Sequence, residues 1–115
     1  MSTTTIKSAV RSLQKKAPLF AALGDEVRLT LLGKLCDGKP LSITQLSQGS
    51  TITRQAITKH LRVLQGTGLV RGVRQGRESL FQLQPKPLQD ASDSLSLISQ
   101  HWDDALARLK SFVEK

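Results

Sequence analysis

Apolar residues in the first third of the chain recur at helical spacing. From Ile6 to Phe20 they step alternately by four and three, which predicts helix over residues 6–23. Pro18 interrupts the run, so it should end or kink one helix, or open a second short helix in its first turn. A further helix is predicted after Asp25, an acidic residue suited to cap it. Gly38 is suited to end that helix.

The middle of the chain predicts two helices joined by a tight turn. Ser42 is placed to cap a short helix over residues 43–48, and Thr53 is placed to cap a longer one over about residues 54–65. Residues 42–65 therefore predict a helix-turn-helix. One face of the longer helix should turn inward, and it consists of Ala56, Ile57, His60, Leu61 and Leu64.

A β-hairpin is predicted directly after these helices. Residues 69–74 and 79–83 contain valine and phenylalanine, which favour strands, and a glycine-containing turn around Gly76 separates them. Pro85 and Pro87 should close the hairpin. Residues 69–83 thus form a thin ribbon, or wing, beside the helix-turn-helix.

The most regular apolar pattern in the chain lies in residues 87–113, which predict one long helix. Its apolar positions step by three and four over about three and a half heptads. They are Leu88, Ala91, Leu95, Ile98, Trp102, Ala105, Leu109 and Phe112. Packing of this helix on its own domain is one interpretation. A narrow seam is typical of paired helices, so we expect it to form the interface of a homodimer.

These elements together predict one domain over residues 1–115. Its fold class is mainly α with a small β-hairpin, a winged helix-turn-helix that dimerises through its terminal helices. Residues 1–16 would form an N-terminal helical arm. Residues 42–65 would form the helix-turn-helix, residues 69–83 the wing and residues 87–113 the dimerisation helix.

Positive charge is concentrated in the middle of the chain. The formal net charge is +8, and residues 38–80 contain seven basic side chains and one acidic one, Glu78. Residues 81–115 carry four basic and five acidic side chains. A focused basic region of this kind indicates a polyanionic partner, although a solvated basic surface has the same composition.

The outward face of the predicted longer helix carries the residue types that contact duplex DNA. Arginine donates in a fork to guanine, glutamine can pair with adenine, and threonine and lysine reach phosphates or thymine methyl groups. Arginines around the hairpin tip suit the DNA backbone or the minor groove, and Glu78 is placed to pair with Arg74 or Arg77. The candidate DNA-binding residues are Thr53, Arg54, Gln55, Thr58, Lys59, His60, Arg62, Arg71, Arg74 and Arg77. A satisfied core histidine is the alternative role for His60.

Several of these segments resemble the arsenic-repressor (ArsR) family of bacterial regulators. They are residues 18–25 with Arg28, residues 54–64, residues 68–70 and residues 75–77, and the resemblance spans about residues 17–113. Residues 102–109 also resemble the branch of the family that lacks an obvious metal site. The resemblance implies a winged-helix repressor that dimerises through its terminal helices. If the repressor has a ligand, binding of that ligand would relieve repression. Within the resemblance, Thr58 and His60 match a Ser/Thr-x-His-Leu recognition pattern, and Gln55 matches a frequent base-reading position.

The sequence indicates neither a metal nor another cofactor. Family metal sensors often carry a Cys-x-Cys pair in the first helix of the helix-turn-helix, but residues 42–48 contain no cysteine or histidine. His101 and Asp104, with Asp103 or Asp93 nearby, are too few for a convincing site. A metal-responsive repressor of the same family is therefore the alternative. Cys36 is the single cysteine and is expected to be a small buried residue.

Catalysis and membrane insertion have little support. The two histidines and one cysteine form no nucleophile–base pattern, so we expect a protein that is not an enzyme. No run of about 18 apolar residues is present, and the chain from Met1 has no signal-peptide core, which predicts a cytoplasmic protein without a membrane partner. Double-stranded DNA is the expected partner. A winged-helix module that binds RNA or another protein is the remaining alternative.

Overall fold

The computed structural model describes residues 3–114; Met1, Ser2 and Lys115, the ends of the predicted domain, lie outside the described residues. The described elements are α1 Thr3–Lys15, α2 Ala17–Leu23, α3 Glu26–Leu35, β1 Leu41–Ser42, α4 Ile43–Ser47, α5 Arg54–Gly66, β2 Val70–Gln75, β3 Glu78–Leu83 and α6 Pro85–Val113. They form two compact units. We call residues 18–88 the winged unit, and the described residues within 1–17 and 89–115 the helical unit.

Local capping chemistry determines where the helices of the winged unit begin. Pro18 lies in the first turn of α2, so it opens a second helix as one of the predicted alternatives. The Asp25 carboxylate accepts a hydrogen bond from the Arg28 backbone N–H at 2.9 Å and caps α3. Ser42 and Gln45 form a reciprocal capping box at the start of α4.

The sheet of the winged unit has three antiparallel strands in the order β1–β3–β2. The predicted hairpin is β2 and β3, which pair from Val70 with Leu83 to Gln75 with Glu78. Gly76 makes the tight turn with a φ of +63°, a conformation that favours glycine. The additional strand β1 pairs with Phe81 and Leu80 of β3. The hairpin alone was predicted because two residues are too few to show an alternating pattern.

Leucine dominates the core of the winged unit. Five leucines from four different segments are fully buried, namely Leu35, Leu46, Leu61, Leu64 and Leu69. The Lys34 ammonium group joins α3 to the end of α4 by donating to the carbonyl oxygens of Leu46 and Gln48, both at 2.9 Å. Cations suit these carbonyl groups because a helix end leaves them unpaired.

The helical unit consists of α1 and most of α6. Its buried residues within the described range are all small, namely Ala9, Ala91 and Ser94. The Ser94 hydroxyl donates a hydrogen bond to the Ser12 hydroxyl at 3.3 Å and so joins the two helices. Helix α6 begins at Pro85, two residues before the predicted start.

Candidate nucleic-acid interface

Helix α5 is amphipathic, and its packing determines which side chains face outward. The Thr53 hydroxyl accepts a hydrogen bond from the Ala56 backbone N–H at 3.1 Å, so the helix begins where the capping pattern predicts. Ile57, Leu61 and Leu64 are almost completely buried in the winged unit. Their spacing of four and three places them on one side of the helix and leaves the opposite side to solvent.

The outer side of α5 carries polar groups that are available to a ligand. Arg54, Gln55, Lys59 and Arg62 are exposed, and within residues 3–114 none of these four side chains has a hydrogen-bond or ion-pair partner. Thr58 is half-buried, and its hydroxyl donates to the Arg54 carbonyl oxygen at 2.9 Å. The methyl group of Thr58 and the lone pairs of its hydroxyl oxygen remain available to a ligand. These groups can form forked hydrogen bonds to base edges and ion pairs with phosphates.

The wing separates its three arginines into two environments. Arg74 and Arg77 are exposed near the turn, and neither side chain has a hydrogen-bond or ion-pair partner among the described residues, Glu78 included. Arg71 instead donates from Nε and Nη2 to the Gln82 side-chain oxygen, at 3.1 and 2.8 Å. Gln82 donates in turn to the Gly38 carbonyl oxygen at 2.8 Å. Arg71 therefore has a structural contact that the sequence pattern did not predict.

An open cleft of about 390 Å³ lies between α5 and the wing. Thr58, Arg62 and Gln65 of α5 line one side, and the β2 residues that include Gly72 and Arg74 line another. A Cβ atom at Gly72 would lie 3.3 Å from the Gln65 side-chain nitrogen, so glycine keeps this wall of the cleft close to α5. Two guanidinium groups around one cleft suit a phosphate. Sequence reasoning missed the cleft because it depends on how the helix and the sheet pack together.

His60 does not share the fully outward position of its neighbours on α5. Its side chain is only 24% exposed, and its Nδ1 atom lies 3.3 Å from Arg28 Nη1 and 3.8 Å from Asp25 Oδ2. The structure thus places His60 against the start of α3. This position fits the alternative role of a hydrogen-bonded histidine better than the role of an exposed DNA contact. Arg28 had no role in the sequence analysis, although it lies within the family resemblance.

The Asp25 carboxylate is stabilised in its charged form. The hydrogen bond from the Arg28 backbone N–H lowers the pKa of Asp25 below its ordinary value, and the Arg28 guanidinium and the nearby His60 ring lower it further. Burial acts in the opposite direction but is outweighed. The start of α3 therefore combines a fixed positive charge, a carboxylate and an imidazole.

Helix α6 exposes much of the predicted dimerisation seam. Trp102, Leu109 and Phe112 are 64%, 60% and 78% exposed. Leu95 is also exposed, whereas Leu88, Ile98 and Ala105 are half-buried and Ala91 is buried. Leu106 and Val113 are exposed too, and they extend the apolar surface beyond the predicted positions. Each lies four residues after a predicted position, Trp102 or Leu109. An apolar face wider than the heptad seam would therefore have included both in the prediction.

Across residues 3–114, no group of three or more His, Cys, Asp or Glu side chains is placed to hold a metal ion. Cys36 is exposed, contrary to the expectation of burial, because it follows the last core position of α3, Leu35. No helix described between residues 3 and 114 is long and apolar enough to cross a membrane.

The known proteins that this chain resembles are described as bacterial transcriptional regulators. A family model described as "Bacterial regulatory protein, arsR family" matches residues 25–71. The uncharacterized HTH-type transcriptional regulator YuzN of Bacillus subtilis is 36% identical over an aligned length of 81 residues, and the match covers 65% of this chain and 88% of the relative. The HTH-type transcriptional regulator NmtR of Mycobacterium tuberculosis is 33% identical over 85 residues, covering 74% of this chain and 70% of the relative.

A solved structure supports the same assignment. An ArsR-like transcriptional regulator from Rhodococcus sp. RHA1 has a TM-score of 0.74 and 37% identity, and the match covers 87% of this chain and 93% of that one. The fold, the exposed basic helix and these relatives define a DNA-binding transcriptional regulator of the winged helix-turn-helix class. Within that class, the chain belongs to the ArsR family. The family consists of regulators and not enzymes, in agreement with the expectation from the sequence.

Proposed function

We propose that this regulator is a homodimeric repressor that binds a two-fold symmetric site in duplex DNA in the cytoplasm. The observation that carries the proposal is the outer face of α5 next to the wing. There, Arg54, Lys59, Arg62, Arg74 and Arg77 are exposed, and residues 40–76 contain no acidic side chain. Such a surface attracts phosphates without an internal carboxylate to compete for its cations.

The shape of this surface supports duplex DNA over other polyanions. An α-helix fits the major groove, where base pairs show distinct donor and acceptor patterns. The cleft between α5 and the wing would receive a backbone phosphate between Arg62 and Arg74. Phosphate contacts of this kind fix the register of the helix, while Gln55 and Arg54 reach base edges. We therefore assign sequence preference to α5 and general affinity to the wing.

The exposed apolar surface of α6 supports a second copy of this chain as the partner. Trp102, Leu109 and Phe112 would be shielded from water if the same helix of another copy packed against them. A two-fold axis would then present two α5 helices about 34–36 Å apart, which matches successive major grooves on one side of the duplex. The site would be a palindrome.

Repression is the regulatory outcome that we propose for this complex. A dimer spanning one helical turn or more of a promoter excludes other proteins from the same DNA. The resemblance to the arsenic-repressor family favours this outcome over activation. A reporter under the selected operator should be expressed more strongly when the regulator is deleted, and a decrease in expression would contradict repression.

Selection of bound sequences from random duplexes tests the proposal as a whole. We expect enrichment of a palindrome whose half-site centres are one helical turn apart. Duplex RNA and single strands should compete poorly because the deep major groove of RNA excludes the helix. Enrichment without two-fold symmetry would contradict the dimeric arrangement, and equal competition by RNA would contradict the DNA assignment.

Two variants separate the roles of α5 and the wing. Gln55→Ala should relax the preference at one base position in each half-site, at a cost of about 1–3 kcal/mol for the preferred sequence. Arg77→Ala should weaken binding to all sequences and reduce the salt dependence of log K by about one. Arg108→Ala removes the same charge from exposed α6 and serves as the control, with an unchanged salt dependence. Identical behaviour of Arg77→Ala and Arg108→Ala would contradict a contact at the wing.

A further inference from the structure

A single guanidinium group joins three helices of the winged unit. Arg28, on α3, donates from Nε to the Ala22 carbonyl oxygen at 2.7 Å and from Nη2 to the Ala21 carbonyl oxygen at 3.4 Å. Both carbonyls belong to the last turn of α2. The third nitrogen, Nη1, lies 3.3 Å from Nδ1 of His60 on α5. The side chain therefore links the helix that carries the outward basic face to the body of the unit.

The chemistry of this contact specifies the tautomer of His60. A guanidinium group has only donors and stays charged, so Nδ1 of His60 has to accept. The imidazole proton must then be on Nε2. The Asp25 carboxylate lies 3.8 Å from the same Nδ1 atom and accepts its own hydrogen bond from the Arg28 backbone, so it compensates the Arg28 charge without displacing the guanidinium.

We infer that Arg28 and neutral His60 are positioning residues for DNA recognition, which set the angle at which α5 leaves the body of the winged unit. The inference rests on the proposed function. Ile57, Leu61 and Leu64 hold α5 in the core, so loss of the polar contact leaves the unit folded. Base-edge hydrogen bonds need donor–acceptor distances of about 2.7–3.2 Å, so a small rotation of α5 removes them.

Two substitutions at His60 separate this role from a direct DNA contact. In His60→Asn, the amide oxygen can occupy the position of Nδ1 and accept from Arg28. In His60→Gln, the longer amide reaches the position of Nε2 instead. Because Nδ1 is the functional atom, His60→Asn should bind the selected palindrome within about threefold of wild type, and His60→Gln should lose about tenfold or more.

The reverse order, with His60→Gln active and His60→Asn impaired, would mean that Nε2 contacts DNA and would overturn the inference. Arg28→Lys keeps the charge but loses the fork, with its bonds to the Ala21 and Ala22 carbonyl oxygens as well as to His60, and should lower affinity at least as much as His60→Gln. The double variant Arg28→Lys/His60→Gln should be no weaker than Arg28→Lys alone, because both substitutions remove the same contact between Arg28 and His60. Additive losses would overturn the inference. Helical circular dichroism checks that each variant is folded.

Nitrogen-15 NMR of the imidazole groups tests the same contact without DNA. The chain has two histidines, so His101→Gln leaves a single imidazole to assign. At neutral pH we expect Nε2 of His60 to be protonated and Nδ1 to show the shift of an unprotonated acceptor. Arg28→Lys should change the His60 signals and not those of His101. A proton on Nδ1 of His60 would overturn the inference at its contact, whereas failure of the wild type to bind DNA would overturn the proposed function while leaving the Arg28–His60 contact itself in place.

Discussion

The winged unit and the helical unit expose apolar surface to very different extents. In the winged unit, large side chains from α3, α4 and α5 are fully buried, for example Leu35, Leu46 and Leu61. In the helical unit, the residues buried in the described range are small, and Trp102 and Phe112 are 64% and 78% exposed. Both units contain helices, yet one has a core of large side chains, whereas the other fully buries only small ones and leaves several of its large side chains exposed.

This difference fits two requirements of the proposed function, each of which falls on one of the two units. A DNA-reading helix has to be held rigidly, and the leucine core of the winged unit supports α5 on its inner side. A dimerisation surface has to remain open until the partner arrives, and the apolar side of α6 fits that requirement. Contiguous exposed apolar surface is uncommon on monomeric proteins, which supports the proposal that a second copy of this chain covers it.

The largest expected effect comes from breaking the core of the winged unit. Leu61→Ala removes a fully buried side chain and should lower the free energy of unfolding by about 2–5 kcal/mol. Val63→Ala on the same helix is the matched control. Val63 is 43% exposed, so its truncation should change stability by less than about 0.5 kcal/mol. Urea unfolding followed by circular dichroism measures both, and similar losses in the two variants would contradict an α5 held by one buried face.

The next effect separates folding from association. Leu109→Glu places a charge in the exposed stripe of α6 and should raise the dimer dissociation constant by about one to two orders of magnitude or more, while leaving circular dichroism unchanged. Sedimentation measures association, and Trp102, the single tryptophan, should emit at longer wavelength when it is no longer shielded. Ser111→Glu adds the same charge on the opposite side of the exposed helix and should stay dimeric. A monomeric wild type would contradict the proposed dimer.

Local chemistry explains why much of the fold could be predicted from the sequence. Ser42 and Thr53 cap helices through contacts three residues along the chain, so their positions are visible in the sequence. The buried side of α5 follows from helical periodicity in the same way. Strand β1 was missed because its pairing with Phe81 depends on residues about forty positions apart, and two residues carry no period of their own.

The residues of the candidate site also divide into those that local periodicity predicts and those that depend on contacts between distant parts of the chain. The outward residues of α5, such as Gln55 and Lys59, could be predicted because exposure is the complement of a periodic core. The contact of Arg28 with His60 joins residues 32 positions apart, and that of Arg71 with Gln82 depends on strand register. Single side chains that act across elements leave no periodic trace, and these are the residues to which the structure gives new roles.

The smallest expected effect concerns the charge of the Asp25 carboxylate at the start of α3 and its contribution to the stability of the winged unit. The hydrogen bond from the Arg28 backbone N–H lowers the pKa of Asp25 from its ordinary value of 3.8, so the folded state favours the carboxylate. This contribution to stability is present above the unfolded pKa and is lost as the pH falls through the lowered folded pKa. Asp25→Asn retains a good helix cap but cannot titrate.

Thermal unfolding between about pH 2.5 and pH 7 distinguishes charge from capping at Asp25. The wild type should be more stable than Asp25→Asn near neutral pH, and the difference should disappear in acid, since protonation removes what the substitution removes. Asp25→Ala loses the cap as well and should have a lower melting temperature than Asp25→Asn at every pH. If the gap between wild type and Asp25→Asn persisted at the acid end, the stabilisation would come from the shape of the cap and not from the charge that Arg28 and His60 surround.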